Sequence, residues 1–188
     1  MKQARTLTDK QIKIVYAHCS TRRHAARDRA IVAVSFMAGL RAKEIAALTI
    51  DNVRGEDGTI REEFVLGKEQ TKGRKTRRVF LSQKLRGELE LYFKEVKLRK
   101  GCSSLFQSQK GKAFSPNTMC QLFLNIYSQC GIEGASSHSG RRSLLTKLAS
   151  KGVGVRVLAE IAGHSSIAIT QKYIDVNDSF IRTAINLV

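Results

Sequence analysis

Four short stretches of this sequence gather residue types able to bind and attack a phosphate ester. GLRAKEIAAL sets Arg41 three residues before Glu44, and TKGRKTRRVFL crowds Lys72, Arg74, Lys75, Arg77 and Arg78 together. SSHSGRRSLLTKLA sets His138 three residues before Arg141, and LAEIAGHSSIAITQKYI sets His164 nine residues before Tyr173. Arginine presents a planar, permanently charged fork that can hold two phosphoryl oxygens at once. Imidazoles donate hydrogen bonds and move protons near neutrality. A phenol, with an ordinary pKa near ~10, is a nucleophile only when something helps it lose its proton. Each stretch also has a plain reading. R-x-x-E is an everyday helix ion pair, a basic run is a solvated loop, H-x-x-R is a weak motif, and a tyrosine between Ile and Lys packs.

The charge balance says what the partner is. Lys and Arg number 33 against 16 Asp and Glu, a net charge of +17, and the cations are spread along the chain, so the fold itself is basic. Such a surface suits nucleic acid, whose condensed counterions it displaces, more than it suits bare water or an anionic membrane. No apolar run approaches the ~20 residues that span a bilayer, and MKQARTLTDKQ lacks the apolar core of a signal peptide. The expected location is the cytoplasm, on DNA, with no membrane partner. Cys19, Cys102, Cys120 and Cys130 form no C-x-x-C pair, and with His18, His24, His138 and His164 they match no ligand spacing. There is no glycine-rich phosphate loop and no acidic metal-ligand cluster, so neither metal nor cofactor is expected.

The elements that must position these residues are mostly helical. Thr8 to Gln11 is a T-x-x-Q capping box ahead of Ile12, Val15, Tyr16 and Cys19 at helical spacing. Residues 25–38 read as a buried helix ending at Gly39, and a short helix follows over roughly 42–48. G-E-D-G then signals a turn, Ile60, Phe64 and Leu66 alternate at strand spacing, and Val79 to Leu81 make a second short strand. The charged run between them belongs at a hairpin tip. Ser82 caps a helix through Leu85, Leu89, Phe93 and Val96, and Ser115 with Pro116 opens another that Gly131 closes. From Ser139 on, four short helices are expected, broken at Gly152, at Gly163 and near Asp178. With no linker or repeat, residues 1–188 read as one domain, mainly α with a small antiparallel β-sheet (α+β).

In this order, the four stretches resemble the phage-integrase family of tyrosine recombinases over nearly the whole chain. GLRAKEIAAL matches the family's G-L-R-x-x-E-L block, TKGRKTRRVFL its hairpin K-G-x-K-x-R, His138 and Arg141 its H-x-x-R, and His164 with Tyr173 its G-H-x8-Y. The resemblance implies the tyrosine recombinase catalytic-domain fold and a six-residue site. In it Arg41 and Arg141 clamp the phosphate, with Glu44 holding Arg41, and His138 and His164 add hydrogen bonds. His138 also serves as base, Lys72 as acid for the leaving oxygen and Tyr173 as nucleophile. It implies a 3′-phosphotyrosyl intermediate needing no ATP or metal, and DNA contacts from Lys43, Arg74, Lys75, Arg77, Arg78 and Arg142. Where many members have L-R-H, this chain has G-R-R, so Gly140 and Arg142 replace Leu and His.

The partners so implied are double-stranded DNA with a specific recombination site and a homotetramer assembled on it from free monomers, with accessory DNA-bending proteins. The apolar face of residues 178–188, with Phe180, Ile181, Ala184 and Ile185, would pack on a neighbouring protomer or on its own domain. Family members that also carry an N-terminal core-binding domain clamp DNA from both sides. This chain reads as an excised catalytic domain or as one of the short recombinases of mobile elements. Two rivals share its features: a type IB topoisomerase-like nicking and resealing enzyme, and a non-catalytic DNA-binding regulator of the same fold. The site to be bound, and the choice among integration, excision and inversion, are not written in these motifs.

Overall fold

The computed structural model describes residues 4–71, 75–99, 101–173 and 185. Its centre is a helix buried along most of its length. Helix α2 (Ala25–Ala38) is apolar around its circumference, and Ala30, Ile31, Val32, Ala33 and Val34 are all at most 1% exposed. A helix apolar on all sides must be covered on all sides. Helix α1 (Asp9–Ser20), α5 (Gln83–Glu95) and α7 (Ser139–Ser150) pack against it. Thr8 and Gln11 make the expected reciprocal capping box on α1, and Gly39 ends α2 with φ of 63°. A left-handed residue at that point suits glycine, and it turns the chain sharply into Arg41.

Helix α3 (Ala42–Ala46) follows at once, two residues shorter than expected because Ala47 already closes it. Helix α4 (Ile50–Val53), capped by Thr49 and Asn52, was not expected: four residues show no periodicity, and only the cap marks it. Strands β1 (Glu63–Leu66) and β2 (Arg77–Phe80) form an antiparallel pair with Phe64 opposite Val79 and Leu66 opposite Arg77. The first inward position of β2 is thus an arginine, which sequence alternation cannot show. Ile60 stays outside the strand, bridging Arg54. Helix α6 (Pro116–Gln129) begins at Ser115, whose hydroxyl accepts from the Thr118 amide at 3.1 Å, and packs on α3.

The C-terminal part forms its own small core. Helices α7, α8 (Val155–Ala162) and α9 (Ile167–Gln171) meet around Leu145, Ala149, Leu158 and Ala162, with Tyr173 packed against them. Leu145 and Leu158 are fully buried, each contributing about 1.5–3 kcal/mol. Three of the four expected helices are therefore present. The fourth, and the apolar face at Phe180, Ile181 and Ala184, lies outside the described residues. No helix among the described residues is long and apolar enough to cross a membrane.

Candidate active site

Two arginines from distant segments converge on one carboxylate, and a third lies close enough for its charge to act on them. Glu44, 1% exposed, accepts from the Arg41 backbone N–H at 2.8 Å and from Arg41 Nη1 at 2.8 Å. Arg77 Nη2 lies 3.4 Å from the other carboxylate oxygen. Glu44 is the third residue of α3, so one side chain completes the N-terminal capping of α3 and orients Arg41. Arg141, 2% exposed, donates from Nη1 to the Gly39 carbonyl at 2.9 Å and from Nη2 to the Ala162 carbonyl. Arg77 Nη1 donates to the same Ala162 oxygen at 2.8 Å. The free C-terminal carbonyl of α8 is thus the anchor for two guanidiniums, which suits the negative end of a helix.

Glu44 and Glu160 line this cleft with Arg41, Arg77, Lys75 and the neighbouring Arg141, so cations outnumber carboxylates. Burial, then Arg41 and Arg77, push Arg141 down to about 9, still cationic at neutral pH. Arg77 is lowered too, by burial first, and its Nε and Nη2 are buried with no hydrogen-bond partner. Burial, followed by Arg141, Arg41 and Arg77, lowers His164 to about 4, so its ring is neutral at pH 7. Burial is the largest cause of all three shifts, and for Arg141 and His164 the neighbouring guanidiniums add to it, which marks an electropositive pocket.

His164 follows Gly163, the left-handed C-cap of α8 with φ of 57°. No side chain fits at Gly163, since a Cβ there would lie 2.4 Å from Arg77 Cδ. His164 Nδ1 pairs with Thr170 Oγ1 at 2.8 Å, and Thr170 is fully buried. If the threonine hydroxyl donates, the imidazole proton sits on Nε2, free to donate to an anion. Thr170 escaped the sequence reading. Its signal was a hydroxyl residue three positions before Tyr173, on the same face of a helix. Ser166 caps α9, accepting from the Ala168 amide at 3.3 Å.

Tyr173 lies at this pocket, its ring stacked on His164 with centroids 5.7 Å apart and planes 17° from parallel. The other three tyrosines are elsewhere. Tyr92 and Tyr127 are 1% exposed in the main core, and the buried Tyr16 hydroxyl sits beside Arg29 and Glu88. Arg142 lays its guanidinium over the Tyr173 ring at 5.6 Å and donates to Thr6 Oγ1 at 3.1 Å. His138, exposed at the N-cap of α7, stands three residues ahead of Arg141 on the same helical side.

The basic hairpin divides. Lys75 and Arg78 are exposed, Arg78 pairing with Glu63 at 3.1 Å, and Lys43 is exposed with Nζ 3.4 Å from the Thr71 carbonyl. Lys72 and Arg74 lie outside the described residues. Arg77, 7% exposed and held by Glu44 and Ala162, turns inward from the hairpin and lines the cleft beside Arg41 and His164. Thr71 and Lys75, on either side of residues 72–74, line the same cleft as Arg41 and His164.

Fold and site together define a member of a known class: residues 5–179 match the model of the Phage integrase family, and the chain belongs to it. The tyrosine recombinase XerD of Neisseria meningitidis serogroup B is 33% identical over 175 residues, covering 90% of this chain and 58% of that protein. The crystal structure of XerA recombinase superposes with a TM-score of 0.79 at 23% identity, over 100% of this chain and 66% of that one. The Tn1549 transposon integrase, in complex with circular intermediate DNA, gives 0.77 at 17% identity, over 99% and 67%. The mainly α fold with one small sheet is thus a tyrosine recombinase catalytic-domain fold, and the chain spans 58% of the length of its XerD relative.

Proposed function

We propose that this chain is the catalytic domain of a site-specific DNA recombinase, which cuts and rejoins DNA through a covalent link to Tyr173. The observation that carries the reading is the unneutralised cluster of Arg41, Arg77 and Arg141 around Glu44, with Tyr173 stacked at its edge. A phosphodiester is the anion such a pocket lacks. Arg41 and Arg141 retain N–H donors beyond those used internally, and these bind the two non-bridging oxygens. The pentacovalent transition state, more anionic than the ground state, is held more tightly than the substrate, which is what accelerates the step.

The Tyr173 phenolic oxygen attacks phosphorus as its proton passes to His138. The bond to the 5′ oxygen breaks, and Lys72 supplies the proton that makes that oxygen a leaving group. His164, held by Thr170, donates from Nε2 to a phosphate oxygen. The 3′-phosphotyrosyl bond conserves the ester energy, so a different 5′ hydroxyl reverses the step without ATP. Lys43, Lys75, Arg78 and Arg142 extend the cationic surface along the duplex, with Arg74 in the same stretch of sequence. The DNA complex of the Tn1549 integrase supports duplex DNA as the partner. Assembly is as a homotetramer on DNA, with accessory bending proteins, in the cytoplasm, and residues 178–188 contact the neighbour.

A panel of nicked suicide substrates tests this, scored for a covalent protein–DNA adduct. Wild type should form the adduct and Tyr173→Phe should not. An equal yield from Tyr173→Phe, or relaxation of supercoils without strand exchange, refutes the reading.

A further inference from the structure

A second basic cleft, of about 920 Å³, opens between the end of α1, the start of α2, the 108–115 loop and one side of α6. It is remote from the phosphate pocket. Helix α2 separates them, with the cleft at Ala25 and Arg41 beyond Ala38, and its 14 residues at about 1.5 Å each span about 20 Å. Helix α6 turns its back as well. Cys120 Sγ donates to Ser137 Oγ, beside His138. Thr118, Leu122, Asn125 and Gln129, which line the cleft, lie about 140–200° around the helix from Cys120.

The lining holds Arg22, Arg23, Arg27, Lys110 and Lys112 against a single carboxylate, Asp28. Asp28 is already engaged, 2.8 Å from both Arg22 and Arg27. Among the described residues no acid pairs with Arg23, Lys110 or Lys112. His24 Nε2 is buried there without a partner, and burial, then Arg27, lower the His24 pKa. Cations on a convex surface are screened by water and salt, whereas a concave wall focuses their field on whatever enters. The cleft is built for an anion.

The shape of that anion follows from α6. Gln121, Asn125 and Gln129 form a row of carboxamides four residues apart, a repeat of about 6 Å along the helix, with the Gln129 oxygen already held by His18 and Arg22 and its NH2 group left to donate. An extended peptide repeats every second residue, about 6.6–6.8 Å, and its backbone offers the donors and acceptors that carboxamides match. Single-stranded nucleic acid has a similar phosphate repeat, but it needs open aromatic faces on which bases stack. Among the described residues the single Phe, Tyr or Trp ring lining the cleft, Phe114, is 8% exposed and covered by the Arg27 guanidinium at 5.2 Å, and the His18 ring is held by Gln129. We infer that this cleft binds an extended acidic peptide segment of a partner protein, with Asp and Glu side chains on Arg23, Lys110 and Lys112 and backbone on the α6 carboxamides.

The test uses two fluorescein-labelled probes, an alternating Glu-Ser decapeptide and ten-residue oligothymidine, followed by anisotropy at physiological salt. Arg23 and Lys112 are exposed and outside the catalytic machinery, so R23E/K112E should fold and keep adduct formation. It should weaken the peptide at least about tenfold. The charge-matched control K10E/K151E, at exposed lysines outside the cleft, should leave the peptide within about twofold of wild type. Equal losses from both double variants would mean general attraction to a basic protein and overturn the proposal. So would a variant that releases oligothymidine more than the peptide.

Discussion

Replacing Glu44 with Gln removes the one carboxylate among the described residues that is in direct contact with Arg41 and Arg77. The amide keeps one acceptor oxygen for the Arg41 backbone N–H, but its NH2 group then faces a guanidinium, donor against donor. Glu44 is 1% exposed, so water cannot take the place of the lost charge. Breaking a buried ion pair from one side costs about 3–5 kcal/mol, against a total stability of about 5–15 kcal/mol. At roughly 2–4 °C per kcal/mol for a chain of this size, Tm should fall by roughly 6–20 °C. The assay is thermal denaturation by circular dichroism at low salt, with and without sulfate. The wild-type pocket holds three guanidiniums against Glu44 and the more distant Glu160, and the variant removes the carboxylate in direct contact. Sulfate should therefore raise the variant's Tm more than the wild type's. A variant that melts within about 2 °C of wild type, or that gains no more from sulfate, would refute the electrostatic account of this pocket.

The His164 partner is testable on its own: Thr170→Val should cut adduct formation about five- to tenfold, the worth of one hydrogen bond near 1 kcal/mol, while Thr170→Ser should largely restore it. The His164 pKa of about 4, against an ordinary 6.5, has a signed consequence for stability. The folded protein binds fewer protons there than the unfolded chain, so this contribution is level above pH 6.5 and is lost as pH falls from 6.5 towards about 4. Urea midpoints at pH 7.5, 6 and 5 should decline less for His164→Gln than for wild type, and parallel declines would count against it. At Gly140 a Cβ would lie 2.2 Å from Ser35 Oγ and 3.1 Å from the Ser35 backbone carbon, so Gly140→Ala should cost about 1–3 kcal/mol. Adding Ser35→Ala should recover part of that loss in the same denaturation assay, and no loss would mean that α2 and α7 part easily.

The sequence carried the helix framework because its signals were local. Capping at Thr8, Ser82 and Ser115 and termination at Gly39 and Gly163 each depend on a few neighbouring residues, and each marks an observed boundary. The motif order likewise marked Arg41, Arg141, His164 and Tyr173, which the fold brings to one pocket. What stayed hidden was long-range. Arg77 looks like its neighbours Lys75 and Arg78 in a basic run, and only the inward register opposite Leu66 separates it from them. Thr170 is an ordinary helix residue until α9 sets it against His164. Gly140 and Arg142, the departures from the common L-R-H, also take their meaning from partners distant in sequence. Gly140 allows α7 close to Ser35, and Arg142 covers the Tyr173 ring.

Everything in this account converges on which oxygen takes the phosphate. A trapped adduct from a suicide substrate, trimmed with nuclease, digested with trypsin and sequenced by mass spectrometry, answers that directly. Cleavage after Lys172 and Arg182 releases YIDVNDSFIR, which has Tyr173 as its single tyrosine. A nucleotide-phosphate mass on Tyr173 in that peptide is the expected result. The same mass on Ser179, on any other peptide, or no adduct from a substrate that is nonetheless cut, would contradict it.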